Sequence, residues 1–175
     1  LALNRAAEAK NTLVALMKDN PNDPEIVRAA GQAEEAVGNK QGAEELLGKA
    51  VELAPTSFPS YLALAQFYFK QNRADKASET LNEAASKVEE NVEMRRLLGQ
   101  SELARNRFES AVHEFKRAVE LDPEDLDAQF GLAVAYRKTA QLDAARELFD
   151  KIGKRDPQFA GLALEGHVEA RHERE

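Results

Sequence analysis

Along most of the chain, apolar residues return at intervals of three and four, the period of a helix with one buried face. Leu64, Phe67 and Tyr68 mark one such face, and Leu81, Ala84 and Ala85 mark the next. Short polar breaks separate successive pairs of helices: Pro55-Thr56-Ser57, Glu89-Glu90-Asn91 and Pro123-Glu124-Asp125. Inside each pair the turn is marked by Gly38, Asn72, Asn106 or Ala140. Glycine and asparagine tolerate the left-handed backbone that ends a helix, and alanine is less suited to it, so the turn at Ala140 is expected to differ in shape. Asp23-Pro24 predicts a helix start, because the aspartate caps free N–H groups and the proline needs no donor there.

The pattern repeats at a fixed distance. Ala43, Ala77, Ala111 and Ala145 are each 34 residues apart, and Gly31, Ala65, Gly99 and Ala133 keep the same register. So do the large residues Leu47, Leu81, Phe115 and Phe149, and the prolines Pro21, Pro55, Pro123 and Pro157, with only Glu89 breaking the last series. A constant period means stacked, similar helix pairs that bury their apolar faces on one another. Small residues let the backbones approach, and the large ones fill the flanking grooves.

Spacing and residue set together resemble the tetratricopeptide repeat, a helix–turn–helix unit with small residues at fixed places and a closing proline. The resemblance implies an all-α, right-handed α–α superhelix, read as one array over residues 1–175. Four full units are assigned at 24–57, 58–91, 92–125 and 126–159, after an N-terminal half repeat at 3–21 and before a polar capping helix at 160–174. Glu34 and Glu102 stand where tyrosine is kept at Tyr68 and Tyr136, and Val27, Arg95 and Gln129 stand where Tyr61 is large. The first and third units are therefore expected to pack less tightly. The half repeat lacks its first helix, which leaves Leu13, Leu16 and the neighbouring Val14 or Met17 uncovered. From this, and from the absence of an initiator methionine, the chain is expected to be a piece of a longer protein that associates through its open N-terminal helix into a homo-oligomer.

Composition narrows the functional classes. The formal charge is −7 from 24 basic and 31 acidic residues, spread without a basic cluster to neutralise phosphates, so nucleic acid is not an expected partner. No apolar run approaches the roughly 20 residues of a membrane helix, so no direct insertion is expected. There is no cysteine, which removes disulfides and thiolate chemistry without fixing a compartment. Alanine and arginine usage is compatible with a bacterial envelope or secretion protein, in cytoplasm or periplasm.

Chemistry-bearing constellations are missing from the sequence. His113 falls on the face of its helix turned away from Ala111, Phe115 and Ala118, which reads as a solvated side chain. His167 and His172 are five apart and point about 140° from each other around a helix, which prevents joint metal ligation. With no phosphate loop, nucleophile elbow or zinc signature either, the expectation is a chain without catalytic residues, cofactor or metal.

A surface remains. On each first helix the packing columns leave one stripe free, and the resemblance implies that this stripe lines a concave face where such repeats bind peptides. It reads Glu25, Arg28, Gln32, Glu35; then Leu62, Gln66, Phe69; then Glu93, Arg96, Gln100, Leu103; then Asp127, Phe130, Val134, Arg137. From the second unit onward it mixes apolar groups with amides and cations, suited to a protein or peptide partner. Leu62, Gln66, Phe69, Arg96, Gln100, Leu103, Phe130, Val134 and Arg137 are the expected partner-binding residues. The apolar ones bury ligand side chains, Gln66 and Gln100 bond backbone, and Arg96 and Arg137 meet an acidic group. The alternative is that Leu62, Phe69 and Leu103 pack on neighbouring first helices as core, in a chain acting as a structural spacer or self-assembly segment. A clamp for acidic chaperone tails, known in part of the family, is disfavoured. Its columns hold Arg28, Gln32, Ala63, Glu93 and Leu97, and Glu93 repels a carboxylate.

Overall fold

A computed structural model describes residues 2–156, with side chains from residue 7 onward. The expected capping helix, His167 and His172 lie outside the described residues. Within them the order is α1 (Ala2–Asp19), α2 (Pro24–Ala36), α3 (Lys40–Leu53), α4 (Phe58–Lys70), α5 (Ala74–Lys87), α6 (Val92–Ala104), α7 (Phe108–Leu121), α8 (Leu126–Lys138) and α9 (Leu142–Arg155). No strand occurs among the described residues. The chain divides into two compact units after Glu89, the position where the proline series breaks.

In the first unit α1 packs on α2, α2 on α3, α3 on α4 and α4 on α5, while α2 and α4 lie side by side. The second unit repeats the scheme, with α6 on α7, α7 on α8, α8 on α9 and α6 beside α8. The cores follow the columns: Ala43, Ala77 and Ala111 are fully buried, with Leu47, Leu81, Phe115 and Phe149 beside them. Phe115 fixes the second unit. A Cβ built on Gly99 of α6 would fall 2.8 Å from its ring, and one on Gly131 of α8 would fall 2.2 Å from it. The ring therefore occupies space on both neighbouring helices that only hydrogen leaves open.

The four inner turns are alike. Asn72, Asn106 and Ala140 have φ of 56°, 58° and 58°, and Gly38 has φ of 85°. Each donates its N–H to the carbonyl three residues back, and the following residue donates five back, as in Ala140 N to Arg137 O at 3.1 Å and Gln141 N to Tyr136 O at 2.9 Å. The expectation of a differently shaped turn at Ala140 is thus corrected. The repeat imposes the left-handed backbone, and alanine accepts its steric strain.

The looser packing expected of the first and third units is also absent. The pairs α2–α3 and α6–α7 approach more closely than α4–α5, because Gly31 sits against Leu47 and Gly99 against Phe115. The two glutamates in the tyrosine series are buried and paired. Glu34 takes Lys10 Nζ and Asn39 Nδ2, each at 2.9 Å, and Glu102 takes Arg105 at 2.7 Å and lies 3.9 Å from Arg107. Burial opposes ionisation of Glu34, but Lys10 and Asn39 outweigh it and hold its pKa below the ordinary carboxylate value. Tyr68, in the same series, is covered by the Arg73 guanidinium at 4.7 Å. A residue five positions on, across the turn, thus partners this column in three of four units: Asn39, Arg73 and Arg107.

The joints between pairs use a second device. Tyr61 donates its hydroxyl to Pro55 O at 3.2 Å, and Gln129, two repeats further along the same column, donates Nε2 to Pro123 O at 2.6 Å. Gln129 replaces the large residue because its amide reaches the same carbonyl. Lys49 does this for Pro21 O at 2.9 Å. Where no proline stands, Glu90 instead binds Arg95 at 2.6 Å and Arg117 at 2.7 Å.

Two stability predictions result. Gly131→Ala is expected to destabilise by about 1–3 kcal/mol through overpacking on Phe115, whereas Gly48→Ala, with open space around it in α3, is expected to stabilise by about 0.5–1 kcal/mol. Denaturant midpoints of the two variants check the pair, and equal effects would contradict the close approach. Ala140→Gly is expected to raise stability by roughly 0.5–1 kcal/mol by relieving the left-handed alanine, read from the same denaturation curves.

Candidate partner-binding faces

Each unit presents one face built from its adjacent first helices. In the first unit it is carried by α2 and α4. Asp23 starts α2 as expected, accepting from Glu25 N at 2.9 Å and Ile26 N at 3.1 Å, with Pro24 in the first turn. On α4 the expected site residues Leu62 and Phe69 are half-buried, and Gln66 is exposed. On α2, Gln32 is exposed, Arg28 pairs with Glu25, and Glu35 pairs with Lys70 of α4 at 3.1 Å. A concavity of about 410 Å³ opens here, lined by Gln32, Glu35, Ala36 and Lys70. Gln32, Gln66 and Gln100 occupy one column, so an exposed amide recurs on three successive first helices.

In the second unit the face is carried by α6 and α8, and here the side chains are more engaged than their positions suggest. Gln100 is exposed, while Arg96, Leu103, Phe130, Val134 and Arg137 are half-buried. Leu103 packs against the cluster of Ala111, Val112, Phe115, Leu132 and Ala135. Phe130 meets Phe149 of α9 edge-on with ring centroids 5.6 Å apart, and both Phe130 and Val134 pack on a second cluster of Ala133, Ala145 and Phe149. These three therefore contribute to packing while keeping part of their surface open. Arg96, expected to meet an acidic ligand, lies 2.5 Å from Asp127 and 3.8 Å from Asp125 of its own chain. An acidic ligand there has to displace internal carboxylates. Position in a stripe did not signal this, because Asp127 reaches Arg96 from the next first helix.

A second cavity, about 610 Å³, is lined by Lys40, Gln41, Glu44, Glu45, Phe67, Gln71 and Arg73. Glu44 organises it, accepting from Arg73 at 2.5 and 2.9 Å, from Lys76 at 3.0 Å and from the Tyr68 hydroxyl at 3.1 Å. Arg73 and these other donors hold the Glu44 carboxyl down to about 2, and burial with the neighbouring Glu44 charge pushes the Tyr68 hydroxyl up to about 12. His113 is exposed on α7. Among the described residues no group of three or more His, Cys, Asp or Glu side chains converges as a metal site, and no helix is long and apolar enough to cross a membrane.

Paired helices, a left-handed turn repeated in each pair and small-residue columns at a constant period define a helical repeat protein. The chain belongs to the tetratricopeptide repeat family, whose model matches residues 28–100 and 102–166. Among solved structures it is similar to YrrB, described as a TPR protein with an unusual peptide-binding site, at 21% identity and a TM-score of 0.73, covering 93% of this chain and 87% of that one. It is also similar to MamA from Desulfovibrio magneticus RS-1, at 23% identity and a TM-score of 0.74, covering 85% and 84%. At these identities the likeness shows the fold. A Saccharomyces cerevisiae protein, the transcription factor tau 131 kDa subunit, is 24% identical over 150 residues, which are 85% of this chain and 15% of that protein.

Acid is expected to weaken the first unit in a defined window. Because the folded pKa of Glu44 is depressed from 4.5 to about 2, its contribution is present above about pH 4.5 and is lost as pH falls towards 2. Glu44→Gln is therefore expected to melt lower than the parent near neutral pH, with the difference shrinking across that window. Thermal melts of both proteins along a pH series check it.

Proposed function

We propose that this chain is a non-catalytic protein-interaction scaffold that takes a partner peptide or helix on its first-helix faces. The observation that carries this reading is the recurring exposed amide at Gln32, Gln66 and Gln100, flanked by half-open apolar groups at Leu62, Phe69, Leu103, Phe130 and Val134. Amides offer both a donor and an acceptor to a ligand backbone, and apolar neighbours exclude water from those bonds. The 34-residue register continues across Glu89, which supports treating residues 1–175 as one array of repeats. Arg96 and Arg137 serve it as cations, with Arg96 selecting ligands able to compete with Asp127 and Asp125.

The test is a selection of peptides from a displayed library on the folded chain, followed by affinity measurement on variants. Gln66→Ala with Gln100→Ala is expected to weaken the selected peptides by at least about tenfold, roughly 1.4 kcal/mol, with little change in melting temperature. Phe69→Ala is expected to weaken them too, while Phe130→Ala lowers stability as well because its ring packs on Phe149. Unchanged affinity in the glutamine double variant overturns the reading.

A second reading, a structural spacer or self-assembly segment, is favoured by one observation: Val14 and Leu16 on α1 are 41% and 43% exposed. Under it, sedimentation detects concentration-dependent association that Val14→Glu with Leu16→Glu abolishes.

A further inference from the structure

Glu35 stands in an unusual electrostatic position for a residue on a solvent-facing concavity. Its side chain is only 17% exposed, and Oε2 accepts from Lys70 Nζ at 3.1 Å. Oε1 is shielded from solvent and has no hydrogen-bond partner. A largely desolvated carboxylate with one bare oxygen carries an unmet demand for a donor. Lys70 cannot meet it, because an ammonium is a point charge reaching one oxygen here, and at 64% exposure its pairing is weak. Seven residues back on the same face of α2, Arg28 has the complementary defect, a buried Nε without an acceptor. Exposed Gln32 lies between them.

We infer that the concavity between α2 and α4 is a subsite for an arginine side chain of an extended peptide, with Glu35 as its receptor. A guanidinium presents two parallel N–H groups with the spacing of a carboxylate, so it satisfies Oε1 and Oε2 together where lysine satisfies one. Lys70 swings away into solvent as the ligand arrives, and that departure has to open Oε1, shielded from solvent in the free chain, to the guanidinium. Gln32 holds the ligand backbone beside it, and the net charge of −7 favours approach of a basic peptide. The inference rests on the first-helix faces being the binding surface, and it extends that surface to the first repeat, whose stripe is entirely polar.

The test titrates the isotopically labelled chain with short alanine–serine peptides that differ in one central residue, arginine, lysine or glutamate, and follows backbone amide shifts. The arginine peptide is expected to move amides of residues 32–36 and 66–70 and to bind at least about fivefold more tightly than the lysine peptide. Glu35→Gln, nearly isosteric, is expected to remove that preference. Lys70→Met is expected to tighten arginine binding by about twofold or more by removing the competitor. Equal shifts from arginine and glutamate peptides, or arginine affinity unchanged in Glu35→Gln, would overturn the subsite. If peptides of every charge move Gln66 and leave Glu35 still, the binding face stands and the subsite falls. If no peptide moves any first-helix amide, both fall.

Discussion

Everything in this fold depends on how near one helix axis can come to the next. Where Phe115 lies against α6 and α8, the limit is set by Gly99 and Gly131, and a single added carbon at either position would enter the ring. Where Leu47 lies against α2, Gly31 sets it. The alanine series at 43, 77, 111 and 145 does the same on the second helices. Once these approaches are fixed, the large residues have one place to go, and the first helices are left with an uncovered side. The candidate faces are thus a by-product of the packing rule.

That rule explains why the helix pairs and their register were legible in the sequence. A side chain's size is local information, and repetition at 34 residues amplifies it across four units. What the sequence hid was pairing between side chains that are not themselves periodic. Glu34 and Glu102 looked like losses of packing because their partners, Lys10, Asn39, Arg105 and Arg107, are read only once the turn geometry is known. Ala140 looked like a different turn because local preference was weighed without the hydrogen bonds that the repeat enforces on it. Gln129 looked too small, yet it ties the proline carbonyl that a tyrosine ties two pairs earlier.

The faces were legible in outline and not in detail. The exposed glutamines are where the stripe puts them. The apolar members divide their surface between core and solvent, as Phe130 does against Phe149 and Leu103 does against the Phe115 cluster. Such residues hold the candidate face rigid while keeping part of their surface open, an arrangement that lowers the ordering needed if a ligand binds there. The charged members are tied to their own chain to different degrees. Arg96 is held by two aspartates, whereas Glu35 keeps one oxygen without a donor, so the two candidate faces offer charges of different sign.

The most direct test of the account places a photo-crosslinking amino acid at single exposed positions of the chain, in the cells that make it. Gln66 and Gln100 on first helices are compared with Glu79 and His113 on second helices, all of them exposed. The account predicts covalent adducts with a partner protein from Gln66 and Gln100 and none from Glu79 and His113. Adducts confined to the second-helix positions would contradict it.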